Sequence, residues 1–140
     1  MTTPPSYHLV NVYTSSPLTL DPKTTNLSLH AVPTPVDESL GFTFSAFAGT
    51  DFVQICTSIK FESYCLDVSG EKSTVPFLSE NRRGNSQQWT VFTGNDGLVK
   101  LSNNYTGNGW YLNLQKDTNA TIMTEGESVG VYWRQEAVSC

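Results

Sequence analysis

Apolar and polar residues alternate along this chain in short runs, broken by clusters of Gly, Asn, Asp, Ser, Thr and Pro. The last third is the clearest: "LVKLS" gives way to "NNYTGNG", then come "WYLNL", "KDTN", "ATIM", "EGESVG" and "VYWRQEAV". A period of two is that of a half-buried strand, and the interrupting residues are those that turn a backbone. The pattern predicts four strands and three turns in this stretch. The first third fits the same scheme, with "HLVNVY", "LTLD", "LSLHAV", a Pro-rich loop over 33–41 and "FTFSAF". No stretch carries a convincing helical period, so the fold class is all-β.

The runs repeat. Leu20, Leu66 and Leu112 are 46 residues apart, and Phe44, Trp89 and Trp133 follow at intervals of 45 and 44. A third series, "YHLVNV", "DFVQIC" and "GLVKLS", opens each unit. The units run roughly over 6–49, 50–95 and 96–140 of a single domain, 1–140. Four short strands in each of three units predict a β-trefoil, in which closure removes the sheet edges. The leucine and aromatic series then face inward as core.

"CLDV" followed by "NSQQWTVF" in the middle unit resembles the Leu-Asp-Val and Gln-x-Trp signatures of ricin-B-type β-trefoil lectin repeats. The third unit, "VKLSNNYTGNGWYLNLQ…SVGVYWRQEAV", is similar to the fungal and bacterial branch of that family. The resemblance implies a carbohydrate-binding lectin. An Asp after the strand leucine accepts from sugar hydroxyls, an aromatic stacks on the sugar face, and polar groups near the Gln complete the pocket. That division suits a neutral sugar, whose hydroxyls want fixed acceptors and donors and whose C–H face wants a flat apolar surface.

Carried over, Asp67 is the acceptor of the middle unit, Asn85, Ser86 and Gln87 supply its polar side, and the stacking position falls near Leu78. In the first unit Asp21 matches the acceptor and His30 falls near the stacking position, but Phe42 replaces the Gln. In the third, Asn113 replaces the Asp, Met123 lies at the stacking position and Val131 replaces the Gln. No unit keeps the whole set, and the middle one keeps most. Gln87 can brace Asp67 or meet a ligand, and Asp67 itself can serve as a turn cap instead of a ligand acceptor. Tyr111 neighbours Trp110 and precedes the inward Leu112, so alternation directs it outward, to stack on a sugar or to cover a hairpin.

Composition narrows the alternatives. A net charge of −5, with the eight Lys and Arg scattered, argues against nucleic acid, which needs clustered cations. No apolar run is long enough for a membrane span, and "MTTPPSYHLV" has neither the basic nor the apolar region of a signal peptide. The expected location is cytoplasmic or leaderless-secreted. Sequons at Asn26, Asn104 and Asn119 matter only on exposure to the glycosylation machinery. Cys56, Cys65 and Cys140, with only His8 and His30 beside them, give neither a zinc set nor a Cys–His nucleophile, so no metal, cofactor or catalytic residue is expected. Cys56 and Cys65 end one strand and begin the next, so a hairpin brings them within bridging reach; in a reducing compartment they are expected to remain thiols. The expected partners are glycans or glycoconjugates, with a homodimer left open. The rival reading is a trefoil protease inhibitor acting through the loop "AVPTPVDESLG" at 31–41.

Overall fold

The computed structural model describes residues 5–20, 29–31, 40–59, 61–70, 74–82, 84–115, 118 and 120–138, without the side chains of residues 20 and 29–31. Among these residues, twelve strands join in one sheet system: β1 (Tyr7–Asn11), β2 (Ser16–Leu20), β3 (Leu29–Ala31), β4 (Thr43–Ala46), β5 (Val53–Ile59), β6 (Glu62–Asp67), β7 (Phe77–Glu80), β8 (Trp89–Thr93), β9 (Val99–Asn103), β10 (Trp110–Gln115), β11 (Ala120–Glu125) and β12 (Trp133–Ala137). No α-helix occurs among the described residues, and so none is long and apolar enough to cross a membrane.

The first and last strand of each unit form a closed ring. β1 pairs with β12, β12 with β9, β9 with β8, β8 with β5 and β5 with β4. Tyr7 and Phe42, just ahead of β4, complete it by exchanging two backbone hydrogen bonds of 2.8 Å. A ring has no open edge, which a flat sheet of such short strands would expose. The remaining six strands make three hairpins, β2–β3, β6–β7 and β10–β11.

Core positions follow the repeat, with one exchange. Leu66, Leu112, Trp89 and Trp133 are fully buried. Each indole N–H donates to the carbonyl of its own unit's leucine, Trp89 to Leu66 at 2.9 Å and Trp133 to Leu112 at 3.1 Å. The first unit departs from this. Phe44 is only half-buried, edge-on to Tyr7, and Phe42 two residues earlier is fully buried in its place. Phe has no N–H to anchor it to a carbonyl, so burial alone decides which ring goes inside. Leu18 joins the core, while the side chain of Leu20 lies outside the described residues.

The turns repeat as well. Ser15, Phe61 and Gly107, spaced 46 apart, all have positive φ, at 58°, 69° and 105°. Two copies use a small residue there, and the middle one places a fully exposed Phe. Asn11 and Asn103 end the first strands of their units, and each caps the following turn by accepting from the backbone N–H two residues on. Their amides donate to the Gly130 and Ser86 carbonyls, tying each unit to the one before it around the ring.

Cys56 and Cys65 are register partners on β5 and β6, with Cα atoms 4.0 Å apart, and are joined by a disulfide. The register expected from the sequence is present, with the pair in its bridged, oxidised form. The bond pins the strand that carries Asp67 two residues further on.

Candidate functional site

The middle unit gathers its predicted residues around the end of β6. Asp67 is the last residue of that strand and is 4% exposed. Its Oδ1 accepts from the Val68 backbone N–H at 2.7 Å, and its Oδ2 accepts from Gln87 Nε2 at 3.3 Å. Each carboxylate oxygen has two lone pairs, so these bonds fix the group without exhausting it.

Gln87 ends a 3₁₀ turn, Asn85–Gln87, that leads into Trp89. It is fully buried. Besides Asp67, its Nε2 donates to the Glu80 carbonyl at 2.7 Å. Its Oε1 accepts from the Arg82 backbone N–H at 3.0 Å and from Gln54 Nε2 at 2.9 Å. The glutamine therefore stands behind Asp67 and braces it, the first of the two roles its sequence position allowed. Asn85, at the start of the same turn, is exposed.

Register separates Leu78 from Asp67. Leu78 pairs with Leu66 and is buried in the core. The residue opposite Asp67 is Phe77, half-buried. Directly opposed residues in an antiparallel pair point to the same face, so the acceptor and an aromatic ring share one side of the hairpin. Leu78 and Phe77 differ by one position, and one position on a strand changes the face. The signal available was the parity of the core residues Leu66 and Leu78.

The other units offer less. Asn113 is half-buried and its Oδ1 accepts from Ser128 Oγ at 3.1 Å. Gly130 packs so closely against it that an added Cβ would strike Asn113 Oδ1 and lie 2.6 Å from the Leu114 carbonyl oxygen. Opposite Asn113 stands Ile122, and Met123 is core. Val131 and Phe42, at the positions equivalent to Gln87, are fully buried apolar residues that can brace nothing. Asp21 lies outside the described residues, as do 32–39 of the proposed inhibitory loop. His30 is described only by its backbone, which pairs with Thr19 and Ala120.

Tyr111 lies on the face opposite the buried Leu112 and is half-buried there. Phe92 meets it edge-on at 6.1 Å, and Lys100 Nζ lies 4.8 Å from its ring centroid. Lys100 Nζ also donates to Glu127 Oε1 at 2.6 Å, and the Tyr132 hydroxyl donates to the same oxygen at 3.1 Å. The two hydrogen bonds, from Lys100 and then Tyr132, hold the Glu127 carboxyl below its ordinary range, while the bond to Glu127 raises both Lys100 and Tyr132. All three groups keep their ordinary neutral-pH charge.

No family model and no curated protein matches the sequence. Solved structures do match. The designed threefold-symmetric protein ThreeFoil aligns over 96% of this chain and 99% of its own, with 17% identity and a TM-score of 0.70. The ricin B-like lectin of Macrolepiota procera, solved with lactose, covers 97% of both chains at 14% identity and a TM-score of 0.69. An exo-β-1,3-galactanase of Clostridium thermocellum matches 99% of this chain but only 31% of its own, at 18% identity and a TM-score of 0.76. The fold is a β-trefoil.

Within the trefoil, the ring carries the anchoring tryptophans and the hairpins carry Asp67 and Asn113. Asp67 thus sits on a hairpin, buttressed by the 3₁₀ turn that enters the barrel at Trp89.

Proposed function

We propose that this trefoil is a non-catalytic, carbohydrate-binding domain whose principal site is the middle unit. One observation carries the reading: Asp67, braced by Gln87, shares a hairpin face with Phe77. A fixed acceptor beside an aromatic ring is the pairing that a sugar's hydroxyl edge and C–H face require. Asn85, exposed at the head of the turn, adds amide donors. Asp21, His30 and Asn113 would serve weaker sites in the outer units. The lactose in the Macrolepiota procera lectin supports a glycan as the ligand class.

The test is a printed glycan array probed with the wild-type protein and with Asp67→Ala and Phe77→Ala. Each variant should lose most glycan signal while remaining folded, as thermal melting checks. If both folded variants bind as the parent does, the middle-unit site is refuted. If the wild-type protein binds no glycan, the lectin reading itself falls.

A further inference from the structure

The surroundings of Tyr111 do more than cover a hairpin. Between the β8–β9 turn and the β11–β12 loop lies a cleft of about 420 Å³, lined among others by Phe92, Asn95, Asp96, Lys100, Glu127 and Tyr132. That volume is within the ~300–1,000 Å³ range of small-molecule sites.

The polar groups in it are held in place. Glu127 directs one oxygen, Oε1, to both Lys100 and Tyr132, and its Oε2 accepts nothing from the described residues. The side chain is 59% exposed, so this is a positioned acceptor facing solvent. The turn that presents Asn95 and Asp96 is locked by Gly94 N–H to the Leu98 carbonyl at 2.9 Å and Leu98 N–H to Asp96 Oδ1 at 3.1 Å. Phe92 is 39% exposed, and its ring orientation is set by the edge contact with Tyr111.

The chemistry selects a ligand class. Lys100 is already neutralised by Glu127, which leaves no spare positive charge for a phosphate or sulfate. What remains is a fixed acceptor, side-chain amide and ammonium donors, and an exposed aromatic ring. We infer that this cleft is a second saccharide subsite, taking a neutral sugar with Glu127 Oε2 as acceptor and Phe92 as the apolar platform. Tyr111 and Tyr132 position these groups. None of the cleft's residues belongs to the β6–β7 hairpin, so the subsite is separate from the Asp67 site, and two sites on one chain would raise avidity for branched or clustered glycans.

This inference rests on the lectin reading, and its test separates the two. The same printed array is probed with wild type, Asp67→Ala, Glu127→Ala, Phe92→Ala and the double variant Asp67→Ala/Glu127→Ala, each checked by thermal melting. Asp67→Ala should retain a residual set of bound glycans, and adding Glu127→Ala should reduce that set at least tenfold. Phe92→Ala, which leaves the ion pair intact, should weaken the same glycans. If Asp67→Ala alone abolishes all binding while Glu127→Ala and Phe92→Ala match wild type, the lectin reading stands and the second subsite is overturned. If wild type binds nothing, both fall.

Discussion

Gln87 holds Asp67 from behind: its amide donates to Asp67 Oδ2 at 3.3 Å while its carbonyl oxygen accepts from Gln54 and from the Arg82 backbone. The glutamine is fully buried, so under the proposed reading it acts on a ligand through the carboxylate it orients.

Gln87→Leu should therefore cost stability out of proportion to its shape. The barrel accepts apolar residues at the equivalent positions, Phe42 and Val131, so the loss comes from the buried polar groups left without partners, at ~1–3 kcal/mol for each. We expect a total of about 2–4 kcal/mol by urea unfolding, partly recovered when Gln54→Leu is added. A cost under about 1 kcal/mol would mean the network carries no stability.

The two indole anchors should respond alike. Trp89→Phe and Trp133→Phe each strand a buried leucine carbonyl, Leu66 or Leu112, and should cost about 1–3 kcal/mol beyond the lost ring volume. Phe44→Leu, at the same place in the first unit but half-buried, should cost clearly less. Denaturant midpoints of the three variants check the ranking, and an equal loss at Phe44 would break it.

Much of this arrangement was legible in the residues. The spacing of Leu66 and Leu112, and of Trp89 and Trp133, marks the core because core positions must repeat wherever the fold does. Asp67 and Gln87 were readable together because the signature joins them. Phe77 was not, since a one-residue shift in register moves a side chain to the other face, and only the parity of Leu66 and Leu78 marks which face is which. The Phe42–Phe44 exchange was hidden because both are Phe, and only packing distinguishes them. The ties that Asn11 and Asn103 make between units depend on carbonyls of the preceding unit, at Gly130 and Ser86, which are remote in sequence.

The Cys56–Cys65 disulfide closes a loop of sequence separation 9, short enough that its chain-entropy contribution is roughly 2–3 kcal/mol. Cys56→Ser/Cys65→Ser should lower the melting temperature by several degrees, and reductant should lower the parent's melting temperature but not the double variant's. An unchanged melting temperature in the double variant would show the bond to be dispensable.

Tyr132 should ionise above an ordinary tyrosine, because its hydroxyl donates to the Glu127 carboxylate and a phenolate there would repel it. With the folded value raised, the interaction favours the fold below the ordinary tyrosine range and is lost as pH rises through the raised value. NMR titration of the tyrosine rings should show the Tyr132 midpoint moving down in Glu127→Gln. A midpoint indifferent to that substitution would contradict the contact on which the second subsite is built.

The most direct test of the central claim is an amide NMR titration of the wild-type protein with the glycan that the array ranks highest. The Asp67 site predicts saturable shifts centred on the backbone amides of Val68 and Phe77 and on the Gln87 side-chain amide, absent in Asp67→Ala. Saturable binding that leaves those three signals unmoved would contradict it.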